Sequence, residues 1–351
     1  MQAIRTPFLD FVQNPFEKNN SAIQHVSDGL IVIQDGRILD AGPYSILNKK
    51  YPGLPTTAYG SECLAMPGFI DLHCHYPQST MIGSWGNTLL EWLNDFTFPA
   101  ELKFKDPDFA LEIARSWIDI CVHNGITTPV SFCTVHPESV DAFFQASQEV
   151  GMRAIGGKVL MDRNAPAELL DTPQSAYDDS LELIHKWHNK DRLHYAVTPR
   201  FAGTSSPEQL EVASTLWKSR DDLYLQSHIS ENKDEVQWTK GLFPHCKDYF
   251  DVYEHYGLVG PRSIYAHGIY LSHDELTRFN RSGSTLAHCP TSNFFLGSGL
   301  LDLNKVLEYE ISFGIGTDIG AGTHYSPFHT LNAMYQTAQL NNLALTPGQA
   351  I

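Results

Sequence analysis

The stretch Pro67-Gly68-Phe69-Ile70-Asp71-Leu72-His73-Cys74-His75 decides how the rest of this 351-residue chain is interpreted. Its apolar residues predict a strand over 70–75 that ends in polar side chains. Side chains alternate along a strand, so His73 and His75 face one side and Cys74 faces the other. Two imidazoles on one face can hold a metal ion, but such a pair alone is more often two ordinary polar residues.

Downstream of this strand, short apolar runs alternate with amphipathic segments of helical length. The helix predicted over 107–123 is typical: Asp106 can cap it, Pro107 fits its first turn, and Gly125 lies just past its end. Seven further strands are predicted, over 127–133, 153–161, 195–201, 223–229, 264–268, 284–288 and 312–317. Pro129 inside the second of these strands indicates an irregular ladder. Eight strands with helical connections predict a parallel (β/α)8 barrel of the TIM type, with its site at the carboxyl ends of the strands.

The residues before the barrel have a different pattern. Apolar runs over 29–33 and 37–39 flank Asp35-Gly36, which predicts a β-hairpin. This part of the chain is therefore expected to form a separate, strand-rich unit.

Composition excludes several classes of function. The chain has 24 Lys and Arg against 40 Asp and Glu, a formal net charge of −16. Such a surface disfavours nucleic acid and anionic membranes as partners. We find no secretory signal and no apolar run of about 18 residues. The six cysteines form no C-x-x-C pair and indicate reduced thiols, so we expect a cytoplasmic protein.

Polar residues also end three other predicted strands: His228 with Glu231 shortly after it, His267, and Asp318. Each alone has an ordinary structural explanation, but a barrel would bring them all together with the histidine pair. Nitrogen and oxygen ligands of this kind suit zinc, and iron is also compatible. A metal can lower the pKa of water from 15.7 to about 7, and Glu231 could carry a proton from that water.

Several longer segments carry a family resemblance from about residue 30 to the end. They are the 67–78 stretch ending in Gln78, Leu89-Leu90-Glu91-Trp92-Leu93, Thr97-Phe98-Pro99, Thr198-Pro199-Arg200-Phe201, the segment from His228 to Glu235, Ala287-His288-Cys289-Pro290-Thr291-Ser292-Asn293, and Gly316-Thr317-Asp318-Ile319-Gly320-Ala321-Gly322. By these segments the chain resembles the amidohydrolase superfamily and, more narrowly, the guanine deaminase family.

The resemblance implies hydrolytic deamination of guanine to xanthine and ammonia, a step of purine catabolism or salvage, in a homodimer. It implies one metal ion, zinc or else iron, held by His73, His75, His228 and Asp318. His267 would orient the water or the substrate, Asp318 would accept a proton from the water, and Glu231 would protonate the ring. The substrate-binding residues it implies are His75, Gln78, Arg200, Phe201, His228, Glu231 and Asp318. Gln78 and Arg200 would contact the purine edge, and Phe201 would pack beside the ring.

The resemblance also implies two domains. Residues 1–65 would supply the N-terminal strands of a small β-sandwich, and residues 66–351 would form the barrel. Family members continue into further strands that complete the sandwich, so here we expect its C-terminal half to be absent.

Three other functions remain open on the sequence. A related barrel enzyme could act on cytosine, an 8-oxopurine or a triazine, although Gln78 with Arg200 and Phe201 favours guanine. A non-catalytic interaction protein could use the same barrel, but such proteins typically lose metal ligands that this chain keeps. Nucleic-acid binding is opposed by the charge and by the lack of a basic stripe.

Overall fold

The computed structural model describes residues 1–86 and 89–350, which form two compact units. The smaller unit combines Met1–Gly68 with Ala344–Ile351, and the larger unit is Phe69–Leu343. The last residue of the predicted barrel domain, Ile351, lies outside the described residues. None of the helices in the described part of the chain is long and apolar enough to span a bilayer.

The smaller unit contains a four-stranded sheet in the spatial order β3-β2-β1-β4. Its strands are β1 (Gln2–Phe11), β2 (Ile23–Gln34), β3 (Arg37–Pro43) and β4 (Thr56–Ala58). The predicted hairpin is confirmed: Gln34 pairs with Arg37, and Asp35 and Gly36 both adopt positive φ, as a tight two-residue turn requires. Strand β1 was not predicted from the sequence.

The larger unit is a nearly closed parallel barrel, which confirms the predicted fold class. Its strands are β5 (Phe69–His75), β6 (Ile126–Phe132), β7 (Ala154–Gly157), β8 (Val159–Leu160), β9 (Leu193–Pro199), β10 (Tyr224–Ile229), β11 (Ser263–His267), β12 (Thr285–His288) and β13 (Ser312–Ile315). They lie side by side in chain order, with β8 beside β9. At the seam, the backbone N–H of Asp318 donates to the His73 carbonyl at 2.8 Å, and that of His75 donates to the Ile319 carbonyl at 2.7 Å.

In the larger unit, helices connect successive strands of the barrel. The α-helices are α1 (Pro15–Lys18), α2 (Tyr44–Lys50), α3 (Leu89–Trp92), α4 (Phe98–Glu101), α5 (Pro107–His123), α6 (Pro137–Glu149), α7 (Pro173–Trp187), α8 (Pro207–Lys218), α9 (Lys233–Leu242), α10 (Tyr249–His255), α11 (His273–Ser282), α12 (Pro290–Phe295), α13 (Leu303–Glu308), α14 (Pro327–Leu340) and α15 (Pro347–Ala350). Short 3-10 turns span Asn19–Ala22, Tyr76–Met81, Leu102–Lys105, Ala167–Leu169 and Ala202–Thr204, and a π turn spans Leu93–Thr97. As predicted, the Asp106 side chain caps α5 by accepting from the next turn's backbone.

The strand predicted over 153–161 is wrong as a single element, because it breaks at Lys158. The Lys158 backbone N–H donates to the Tyr195 hydroxyl at 3.3 Å instead of to the ladder. Its side chain is fully buried and donates to the Asp171 carboxylate at 2.5 Å. The irregularity expected at Pro129 is present: the β5–β6 register shifts just after Asp71, which lies opposite Pro129.

Two hydrophobic clusters position the site. Small and branched residues fill the barrel interior, among them Val130, Ala196, Ala266 and Ala287. A second cluster lies among the connections that follow β5, β6 and β7 and includes Met81, Trp92, Leu93, Phe98 and Phe132. This cluster supplies an apolar wall beside the carboxyl ends of the strands, where polar side chains gather.

Candidate active site

Three imidazoles and a carboxylate face one another at the carboxyl ends of the barrel strands. His73 and His75 end β5, His228 lies one residue before the end of β10, and Asp318 follows β13. The Nε2 atom of His75 is 3.2 Å from the Nε2 atoms of both His73 and His228. The Asp318 Oδ1 atom lies 3.0 Å from His73 Nε2 and 3.5 Å from His75 Nε2. The structure therefore brings together all four predicted metal ligands.

His267, at the end of β11, is close to the same cluster. One ligand atom each from His73, His228, His267 and Asp318 lies within 4.8 Å of all the others. His267 Nε2 is also 3.8 Å from Asp318 Oδ2 and 3.5 Å from Glu231 Oε2. His267 is therefore placed to contact a group bound between the metal-ligand candidates and Glu231.

Hydrogen bonds fix which imidazole nitrogens face the cluster. The Nδ1 atom of His228 lies 2.6 Å from the Arg200 carbonyl, which can only accept, so Nδ1 carries the proton. In the same way His267 Nδ1 donates to Asn293 Oδ1 at 2.9 Å. Both rings then present an unprotonated Nε2 when neutral, as metal-binding histidines do.

The electrostatics of the cluster fit a bound cation. Burial lowers the pKa of His73, His75 and His228, so these rings are neutral near pH 7 and can act as ligands. Although burial alone would raise it, the facing imidazoles, His73 first, hold the pKa of Asp318 well below its usual range. Neutral nitrogens that face one another at 3.2 Å cannot all form hydrogen bonds together, whereas a shared cation satisfies them all.

The backbone is strained at two of these positions. His267 has φ of 74° and Asp318 has φ of 51°, the left-handed region that non-glycine residues rarely occupy. Each such residue costs about 1–3 kcal/mol, and residues of this kind concentrate at functional sites. At His267 and Asp318 these backbone conformations direct both side chains into the cluster.

Asp71 holds the two sides of the barrel seam together. Its Oδ1 accepts the backbone N–H groups of His73 at 3.3 Å and Thr317 at 2.9 Å, and its Oδ2 accepts the Thr317 hydroxyl at 2.5 Å. Burial raises its pKa to about 7. These bonds place Asp318 beside His73, a role that the sequence analysis did not assign to Asp71.

Glu231 is buried at the rim of the cluster. Its Oε1 accepts the Ser298 hydroxyl at 2.9 Å, and burial raises its pKa above the ordinary value. Its backbone N–H, at 2.9 Å, and that of Asn232, at 3.2 Å, both donate to Glu235 Oε2. Neither glutamate lies on a solvated surface, because Glu231 is 4% exposed and Glu235 is 2% exposed.

Gln78 and Arg200, the two residues predicted to contact the purine edge, both bind the carboxylate of Glu101. The Glu101 Oε2 atom accepts Arg200 Nη1 at 2.7 Å, while Oε1 accepts Arg200 Nη2 at 3.1 Å and Gln78 Nε2 at 3.0 Å. The Gln78 Oε1 atom accepts the Gly320 N–H at 3.1 Å, and a Cβ at Gly320 would lie 2.5 Å from the Gln78 carbonyl. All three side chains of this Gln78–Glu101–Arg200 network are buried.

A cavity opens over these groups, with about 440 Å³ of empty space when its open mouth is included. Its polar lining contains Gln78, Arg200, Glu231 and the residues of the cluster except His73. Its apolar lining contains Leu89, Trp92, Leu93, Phe201, Leu296 and Ala321. Trp92, which the family segments include, thus lines the cavity as well as belonging to the core.

Three residues of the site were missed from the sequence: Asp71, Glu101 and Glu235. A signal existed for each, because Asp71 and Glu235 lie inside the family segments and Glu101 follows Thr97-Phe98-Pro99 by two residues. A single acidic residue belongs to no periodic or spaced sequence pattern, however. Only the fold shows which acidic side chains are buried against a functional group.

Comparisons with known proteins agree with this geometry. The sequence model of the Amidohydrolase family matches residues 64–351. Guanine deaminase of Escherichia coli (strain K12) is 44% identical over 353 residues, a match that covers 100% of this chain and 80% of that protein.

Two solved structures are also similar over nearly the whole chain. The structure of the E. coli enzyme has a TM-score of 0.95 at 43% identity and covers 99% of this chain and 80% of its own. The structure of guanine deaminase from C. acetobutylicum with bound guanine in the active site has a TM-score of 0.92 at 32% identity, covering 99% of this chain and 83% of its own. The chain therefore belongs to the amidohydrolase family, and within that family to the group that contains the guanine deaminases.

Proposed function

We propose that this protein hydrolyses guanine to xanthine and ammonia. The observation that carries the proposal is the placement of the His/Asp cluster and Glu231 in one cavity with the buried Gln78–Glu101–Arg200 network. The first set can activate water and move protons, and the second can recognise an amide-like ring edge. The similarity to guanine deaminases, one of them with guanine bound, supports this substrate.

We propose one zinc ion per chain, held by His73, His75, His228 and Asp318. The donor set of neutral imidazoles and one ionised carboxylate fits zinc and is compatible with iron. When bound, such a metal supplies a water of lowered pKa near neutral pH. His267, held by Asn293, would orient the water or the substrate from the side of Glu231.

We propose that Arg200 and Gln78 bind the edge of the purine, with Arg200 at the carbonyl oxygen. The guanidinium forms two bonds to Glu101 and retains further N–H groups for a ligand in the cavity. Phe201 would pack beside the ring. The remaining predicted substrate contacts, His75, His228, Glu231 and Asp318, also line the cavity.

We propose two proton carriers. Asp318 would accept a proton from the water as its oxygen bonds to the ring carbon that bears the amino group. Glu231 would give a proton to the adjacent ring nitrogen. The proton held by Asp318 would then pass to the amino group, and the carbon–nitrogen bond would break so that ammonia leaves, while Glu231 takes back the proton of the added hydroxyl. Burial raises the pKa of Glu231, which favours the protonated form that a proton donor requires.

Ammonia release from a panel of bases tests the proposal. We expect turnover of guanine at least about 100-fold faster, as kcat/KM, than that of cytosine, 8-oxoguanine or an aminotriazine, since a site that hydrogen-bonds one substrate rejects analogues strongly. Metal analysis of the same sample should give one zinc or iron per chain. A metal-free protein without activity would favour the non-catalytic alternative, and a preference for another base would identify a different deaminase.

We also propose that the protein acts as a cytoplasmic homodimer. All six cysteines are free thiols, which suits a reducing compartment. The dimer rests on the family resemblance, and light scattering at micromolar concentration tests it. An active monomer would contradict it.

A further inference from the structure

A second group of metal-ligating side chains lies away from the cavity. It consists of His245 and Cys246, in the connection after α9, and His255, the last residue of α10. One ligand atom from each of the three lies within 4.8 Å of the other two. None of the three lines the active-site cavity, and within the described part of the chain only this group and the His/Asp cluster bring together three such ligands.

The geometry points to a surface site for a thiophilic divalent metal ion held by His245, Cys246 and His255. Zinc is the ion that this ligand set favours. In a tetrahedral site with Zn–S of about 2.3 Å and Zn–N of about 2.1 Å, ligand atoms lie about 3.6 Å apart. The three ligand atoms lie within 4.8 Å of one another in the structure. Small rotations of the two exposed imidazoles would bring them to the tetrahedral spacing. Three protein ligands leave the fourth position to water.

The local structure fixes the three ligands relative to one another. The Cys246 backbone N–H donates to the Phe243 carbonyl at 3.0 Å, which forms a tight turn after α9. The rings of His245 and His255 meet edge to face with their centroids 5.0 Å apart. A plain aromatic contact would explain the two rings, but it does not explain the thiol beside both of them.

The charges around the cysteine favour a bound cation. The carboxylates of Asp251 and Asp248 lie close enough to the Cys246 thiol to act on it electrostatically. The same carboxylates attract a divalent cation, and the metal displaces the thiol proton when it binds. Asp248 is itself paired with Arg278, so part of its charge is neutralised.

Cobalt titration of protein loaded with one equivalent of zinc per chain, which the four ligands of the His/Asp cluster hold in preference to the three of the surface site, tests this site independently of deaminase activity. A cobalt–thiolate bond absorbs in the near ultraviolet, and the His/Asp cluster contains no sulfur ligand, so the band cannot come from that cluster. We expect a saturable band with one cobalt per chain that is absent from C246S. In H255A the apparent affinity should fall at least about tenfold, since even indirect supports of metal ligands cost 10–100-fold. Excess zinc should abolish the band and raise the melting temperature of the wild type more than that of C246S.

C63S is the matched control, because Cys63 is an exposed thiol in the smaller unit, outside both ligand groups. It should keep the full band. A wild-type protein without the band at millimolar cobalt, or a band that survives in C246S, would overturn the assignment. If C246S folds poorly, an unchanged affinity in the folded H255A protein would overturn it equally.

Discussion

Glu101→Gln tests whether the buried carboxylate holds the two purine-edge side chains in position. The side chain of Glu101 is 1% exposed and that of Arg200 is 2% exposed, so water cannot replace a lost bond. Glutamine keeps the shape but removes the charge, and its amide NH₂ replaces one of the two acceptor oxygens. Whichever way the amide is turned, one N–H of Arg200 then faces another donor.

Two energies bound the expected effect. Removing one member of a buried ion pair costs about 3–5 kcal/mol, because the remaining charge stays buried and unpaired. A hydrogen bond from a charged group to the substrate contributes about 1.5–3 kcal/mol. If the guanidinium is displaced from the purine carbonyl, kcat/KM for guanine falls about 10- to 150-fold, at about 1.4 kcal/mol per factor of ten. The rest of the cost should lower the melting temperature.

The assay is steady-state ammonia release with metal content and melting temperature measured on the same sample. Glu101 contacts none of the proposed metal ligands through its side chain, so the metal content should stay at the wild-type value. Glu149→Gln is the matched control. Glu149 also binds an arginine, Arg115, with two bonds of 2.8 and 2.7 Å, but at 40% and 54% exposure. Such a surface pair contributes about 0–1 kcal/mol, so activity should not change.

A folded, metal-loaded E101Q protein with wild-type kcat/KM would refute the positioning role. Loss of activity that tracks loss of metal would also refute it, because the defect would then lie in the cluster. Equal losses in E101Q and E149Q would show a general effect of changing glutamates rather than a specific one.

Three further predictions follow from the same geometry. Glu231→Gln should keep the metal and lose turnover by at least about 100-fold, measured by metal analysis and ammonia release, and full turnover would exclude it as the proton carrier. His228→Ala should lose both metal and turnover, and a variant that retains stoichiometric metal would remove His228 from the ligand set. Burial raises the pKa of Glu235 from 4.5 to about 7, so the folded chain keeps a proton that the unfolded chain releases, and the free energy of unfolding falls as the pH rises from about 4.5 to 7. Urea titrations should show a shallower fall for Glu235→Gln, and an identical slope in both proteins would contradict this account.

The barrel and its metal-ligand candidates were predictable from the sequence because their signals are local. Strand and helix periods repeat along the chain, and His73, His75, His228, His267 and Asp318 each lie at or just past the end of a predicted strand. Parallel strands place their carboxyl ends at one edge, so strand order alone predicts that these side chains meet. The family segments added Gln78 and Arg200, which spacing does not reveal.

Contacts between segments distant along the chain were decided only by the tertiary structure. Glu101 pairs with Arg200 across 99 positions of the chain, and Asp71 binds Thr317 across 246 positions. In the sequence alone, neither carboxylate can be distinguished from an acidic residue on the surface. The break in the third strand at Lys158 has the same origin, since the Tyr195 hydroxyl that takes its N–H belongs to another strand. Periodic patterns specify elements, because they reflect which face is buried. The partner of a single buried charge depends on packing, and packing exists only in the folded chain.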